Sequence, residues 1–489
     1  MFQAKAEFQS ATDLAIAIRA KRLSAREALD LCLARIERIN PEINAVIALD
    51  REAALARAVA ADNALARGDV WGPLHGVPMT AKDSIEVAGM PATAGAPEFK
   101  AYRPSAHAVA IQRLVDAGAI VFGKTNLPIY ASDLQTFNAL FGTTNNPWDP
   151  TRSPGGSSGG SAAALAAGLS FLEIGTDLAG SIRNPAHFCG VYGHKPSFGL
   201  VPDAGQVPPP PQGMSGADIT VIGPLARSAE DLELALGVLA GPDADQAEAW
   251  RLELPMPRRA ELSQYRLAAW LDDADFPVET EIRTVLEGAI SALRAEGAAV
   301  DDRARPALPF ADYNTQFYRQ VAAVFSASFP AKAFAGLMQR AGQLAETDRG
   351  YDAEFVRGAT ESHRDWIMAD AKRREYRRIW AEFFTRYDAL LCPVMPTAAA
   401  RHDPNPTMAA RTHVVNGVAK PYWSQVAWCG LASFVYLPAT VAPIGRTKAG
   451  LPVGIQIIGP YLGDTTTLDL ARRLGEILGG FTPPPRYAT

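Results

Sequence analysis

The chain has 489 residues, 48% hydrophobic and 20% charged, enough to bury a large core. Its net charge of −5 argues against a nucleic-acid-binding face, and no apolar run reaches membrane-spanning length. Cys32, Cys189, Cys392 and Cys429 are far apart with no CxxC pair, and the N-terminus lacks an apolar leader, so a cytoplasmic protein without metal or disulfides is expected.

In chain order, Ser24 and Glu27 make a capping box, and Leu29, Cys32, Leu33, Ile36 and Ile39 recur at helical spacing. Asn40–Pro41 should end that helix. A second helix, rich in alanine, is predicted over 51–67, stopping at Gly68. VPMTAK (77–82) reads as a core strand with Lys82 at its end. The ordinary expectation for such a lysine is to snorkel to solvent or pair with Asp83. The functional one is burial, which strips its charge. A helix at 108–117 and a strand at 119–126 follow. Gly118 to Thr125 fits the phosphate-loop pattern, but Ala119–Phe122 is apolar and strand-forming where that motif needs a bare loop.

Residues 151–186 have more order than a flexible linker. Gly and Ser gather at 155–161 and 180–181, around a predicted helix (161–167) and a buried strand (171–175). Two G-x-S-x-G frames overlap at 155–160, but Pro147, Pro150 and Pro154 exclude the strand that a nucleophile elbow requires.

Beyond it, 189–202 reads as turns and short strands. Residues 206–216 read as a stiff loop through Pro208–Pro211. Ser228 to Asp231 caps a helix that Gly241–Pro242 ends. Residues 265–271, 278–296 and 297–300 form a β-α-β unit with parallel strands. The region 311–387 is mostly helical. Its run Lys372, Arg373, Arg374, Arg377 and Arg378 is expected to be the solvated face of a helix that buries Tyr376, Trp380, Phe383 and Phe384. Strands at 388–397, 433–445 and 451–460 and a helix at 465–478 complete an α/β pattern.

A serine hydroxyl becomes nucleophilic only when a base takes its proton. His75, His187 and His194 sit in turns with no informatively placed Asp, so structural roles are expected for them. Lys82, buried and neutral, is the better-placed base. LAGSIR (178–183) is a turn whose amides could converge on an oxyanion, with Ser181 as nucleophile.

GGSSGGSAAALAAG (155–168) and GTDLAGSIRNPA (175–186) resemble the amidase signature family. So do the blocks at 72–83, 123–128, 141–156, 223–227, 388–397 and 450–460, in the family's usual order. The resemblance implies one amidase domain over 1–489, a large mixed β-sheet sandwiched by helices. It has a core at about 70–240 with strands at 388–460, and a variable, mainly helical region at about 305–387. It implies Ser181 as the acylated nucleophile, Ser157 as a bridging serine after a cis peptide bond, and Lys82 as base. The amides of Leu178, Ala179, Gly180 and Ser181 would form the oxyanion hole. No metal or organic cofactor is implied, the substrate is a small-molecule amide, no nucleic-acid or membrane partner is expected, and a homodimer is allowed for.

Two positions depart from the family. Ala179 stands where many members have Gly, and its methyl should crowd the acyl pocket. Ile129 stands where many carry Glu. Aromatic residues at 313–329 and at Trp423, Trp428 and Phe434 suggest an apolar pocket for aryl or alkyl amides, with Thr136, Phe317 and Trp423 as candidate substrate contacts. Ester or carbamate cleavage is also allowed. Two other readings stay open. One is the amidase component of a glutamine-dependent tRNA amidotransferase, from which the blocks at 123–136 and 193–216 look different. The other is a non-catalytic binding protein.

Overall fold

In a computed structural model, described here over residues 6–207, 216–405 and 408–488, one eleven-stranded mixed sheet runs through the chain. Its strands are β1 (Val46–Leu49), β2 (Pro78–Lys82), β3 (Ile120–Thr125), β4 (Leu172–Asp177), β5 (Tyr192–Lys195) and β6 (Val221–Ala226). They continue with β7 (Arg266–Ala269), β8 (Ala299–Asp301), β9 (Ala389–Pro393), β10 (Ala439–Arg446) and β11 (Pro452–Ile458). The spatial order is β1-β3-β2-β4-β6-β5-β10-β11-β9-β7-β8. β3, β2 and β4 run parallel, as do β9, β7 and β8, and the strands between them pair antiparallel. Helices sandwich the sheet: 183–189 packs on β10 and β11, 229–239 on β6, and 464–478 on β10. Burial on both faces explains why β6, β9 and β11 read as near-continuous apolar runs instead of alternating ones.

Most local expectations hold. The Ser24–Glu27 capping box is formed in both directions, and the 265–300 unit gives parallel β7 and β8. The segment resembling a phosphate loop is the strand β3. All four cysteines are free and buried, and no helix among the described residues is long and apolar enough to cross a membrane.

The differences have local causes. The first long helix continues through Pro41 to Ile43. Pro41 sits in its last turn, and the Asn40 side chain accepts from the amides of Ala45 and Val46, which smooths the exit into β1. Residues 433–438 are not strand: Ser433 ends the helix Ala427–Ser433, and β10 starts at Ala439. The helix predicted at 161 starts at Gly159. Arg373 is not on the solvated face. It is 2% exposed, pairs with Asp218 and Asp370, and lies over the Tyr436 ring. The helix Arg183–Cys189 follows the 178–183 turn, and its Pro185 lies in the first turn, where a proline sacrifices no helical hydrogen bond. Pro208–Pro211 lies outside the described residues.

Candidate active site

β2 and β4 are adjacent and parallel, the third and fourth strands of the sheet, so their C-terminal ends deliver Lys82 and Thr176–Asp177 side by side. Lys82 does not snorkel. It is fully buried, its Nζ lies 2.6 Å from Ser157 Oγ, and it donates to Thr176 Oγ1 at 2.8 Å. Nor does it pair with Asp83, whose carboxylate accepts from Thr93. Burial pulls the Lys82 amine down to about 7, with Asp177 pulling weakly the other way. At neutral pH the amine is therefore substantially unprotonated.

Ser157 follows a cis Gly156–Ser157 peptide bond, in the loop before the helix Gly159–Ala166. That loop is stitched to the one carrying Ser181: Ser158 N–H donates to Ser181 O (3.0 Å), and Asn184 Nδ2 donates to Gly156 O (3.3 Å). The glycines are there because backbones approach closely. A Cβ on Gly156 would sit 2.6 Å from Asp133 O, and one on Gly160 would sit 2.5 Å from both Asn126 N and Asn126 O. Gly160→Ala is expected to destabilise the protein by about 1–3 kcal/mol, seen as a lower thermal midpoint. An unchanged midpoint would show that this contact relaxes freely.

Ser181 follows Gly180 in a turn built around Asp177. The Asp177 carboxylate accepts from the amides of Gly180 (2.9 Å) and Ile182 (3.0 Å) and from the Arg183 guanidinium (2.8 and 3.0 Å). Burial pushes this carboxyl up, but Arg183 and the turn amides outweigh it and hold it at about 2. Arg183 also donates to Cys429 O, Gln456 and Ser433, so a buried ion pair fixes the turn. The Gly180 amide is thus already spent on Asp177. The amides of Ala179 and Ser181 take no acceptor among the described residues.

Ser157, Thr176, Leu178 and Ser181 border one cavity of about 290 Å³. Its other walls are the turn Tyr130–Ser132, the segment Gly216–Thr220, and Val324, Phe325 and Phe329 at the end of the helix Phe310–Ser326. No histidine is among these. His75 accepts from Trp71 N–H, His187 lies between Thr397 O and Gly454 N, and His194 between Thr440 and Asp464.

The three predicted substrate contacts are elsewhere. Thr136 Oγ1 donates to Gly155 O and props the Ser157 loop. Phe317 is buried beside Gly430 and Phe434, and Trp423 packs on Tyr318, Phe325 and Tyr422. Neither ring lines the cavity. Leu178, not the methyl of Ala179, faces it, and Tyr130 borders it while Ile129 does not. Sequence reasoning missed Thr176, Tyr130 and Asp218. Asp218 borders the cavity with its carboxylate occupied by Arg373 (2.6 Å) and Tyr436 (2.6 Å).

The Amidase family profile matches residues 27–468, and the chain belongs to that family. The chain is 34% identical to a glutamyl-tRNA(Gln) amidotransferase component from Acidobacterium capsulatum, over 96% of this chain and 99% of that protein. Among solved structures, it superposes on a crystal structure of an amidase with TM-score 0.76 and 29% identity, over 96% of this chain and 100% of the other. It also superposes on an inhibitor-bound chain from a vestigial protein complex bearing on the evolutionary origins of an s-triazine catabolic enzyme, with TM-score 0.81 and 27% identity over 96% and 99%. The amidotransferase match spans nearly the whole chain. The family's enzymes act on C–N bonds in a fold with the sheet described above.

Proposed function

We propose that this protein hydrolyses an uncharged amide through an acyl-enzyme on Ser181. The observation that carries the reading is the 2.6 Å contact between a buried, readily neutral Lys82 and Ser157, in a cavity that Ser181 shares. Ser181 Oγ attacks the substrate carbonyl and passes its proton to Ser157 Oγ, whose own proton goes to Lys82 Nζ. The oxyanion meets the amides of Leu178, Ala179 and Ser181; Gly180 supports that hole through Asp177 and does not donate to it. On collapse, Ser157 gives a proton to the leaving amine and regains one from Lys82. Water then cleaves the acyl-enzyme through the same relay in reverse. No step calls for a cofactor.

The cavity walls favour substrates without charge. Val324, Phe325 and Phe329 give an apolar side, and Asp218, the charged residue of the described lining, is already neutralised by Arg373 and Tyr436. An alkyl or aryl amide fits such walls, as would a related ester or carbamate.

The curated relatives support a second reading, the glutamine-cleaving component of a tRNA amidotransferase. Glutamine would need a partner for its α-carboxylate, and no cationic side chain lines the described part of the cavity. The test is kcat/KM for the isolated chain on anilides, aliphatic amides, carbamates and glutamine. Apolar amides should exceed glutamine by at least about 100-fold. Cleavage of glutamine alone, appearing only with partner subunits, would establish the second reading instead.

A further inference from the structure

A second cavity of about 300 Å³ opens beside the other end of the helix Phe310–Ser326, and its lining shares no residue with the catalytic cavity. It lies between that helix, the helix Tyr351–Ala359, the loop at 275–277 and the two-stranded ribbon 412–421. Besides the His413 imidazole, four rings border it: Phe276, Tyr318, Tyr351 and Trp428. Asn314 borders it too, at 4% exposure.

The Asn314 amide is half satisfied. Its Nδ2 end meets Tyr351 OH at 3.1 Å, and the buried Oδ1 end has no partner. Exchanging the two ends leaves the other one orphaned, because a tyrosine hydroxyl can serve either. A buried amide end without a partner costs about 1–3 kcal/mol, a cost that a bound polar group removes. The depth of the cavity holds no spare charge. Both Glu354 oxygens are taken by Arg319 and Arg357, and burial holds the His413 imidazole at about 4, so it is neutral. Asp275 and Arg349 are exposed, and Lys420 is half-buried at the rim.

We infer that this cavity is a second binding site for a small neutral molecule carrying a ring and one amide or hydroxyl group. The ring would lie among the four aromatic side chains and the polar group would meet Asn314. The site does not touch Lys82, Ser157 or Ser181, so the inference stands or falls separately from the reaction proposed above.

4-Bromobenzamide is a suitable probe, because bromine marks its position in anomalous maps. Crystals of Ser181→Ala protein soaked in it should show a bromine peak between Asn314 and Trp428. Equilibrium dialysis should give one more bound molecule per chain than for the same protein carrying Thr315→Phe, which fills the cavity from a half-buried helix position. Asn314→Leu, if it folds, should weaken that site at least about tenfold. Bromine only in the catalytic cavity, binding at soaking concentrations only, or equal stoichiometry with Thr315→Phe would overturn the inference.

Discussion

Ser181→Ala is expected to lower kcat by at least about 10⁴-fold on any amide the enzyme cleaves, with KM changed only a few-fold. The side chain is partly accessible in the catalytic cavity and bears no load in the core, so its loss should remove chemistry and leave the fold intact. The residual rate would come from substrate binding and the oxyanion amides, as in serine hydrolases stripped of their nucleophile. Steady-state kinetics with an unchanged thermal midpoint checks this. A kcat within tenfold of the parent would exclude Ser181 as nucleophile.

Lys82→Ala should cost about 10²–10⁴-fold in kcat, the usual worth of a positioned general base. Amides should suffer more than esters, because an amine leaves only after it receives a proton and an alcohol leaves more easily. The pH profile supplies the sign. The Lys82 amine is lowered from its ordinary 10.5 to about 7 by burial, so it is protonated and unable to accept below that value and free above it. Activity of the parent enzyme should therefore rise with pH through about 7, and this acid limb should disappear in Lys82→Ala. An acid limb that persists in the variant would assign it to another group.

The residues that meet at the cavity, Lys82, Ser157 and Ser181, were legible in the sequence, and the walls around them were not. Lys82 stood out as a charge ending an apolar strand, and Ser157 and Ser181 as serines where a loop meets a helix or strand. That signal does not single out Lys82 on its own. Lys124 and Lys195 are equally buried, but they donate to the carbonyls of Ile85 and Pro196, whereas Lys82 at the end of β2 meets Ser157 in the loop before the helix Gly159–Ala166. The motifs supplied the choice. The candidate substrate contacts miss the cavity for a related reason. Phe317 and Phe325 lie on one helix, eight residues apart, and both read as aromatic stripe, yet Phe317 turns into the core and Phe325 to the cavity. Composition cannot separate them, because the distinction depends on what packs from the 422–434 segment. Asp218 and Arg373 were hidden by sequence distance, 155 residues apart, and by the usual assumption that a basic run is solvated.

The proposed mechanism rests most directly on the covalent intermediate. An alkyl anilide mixed with the enzyme and quenched in acid within the first turnovers should leave one acyl group, found by peptide mass mapping on Ser181. Lys82→Ala should accumulate that adduct far more slowly. Turnover without an adduct, or an acyl group on any other residue, would contradict the mechanism, and the absence of both turnover and adduct across the substrate panel would return the protein to a binding role.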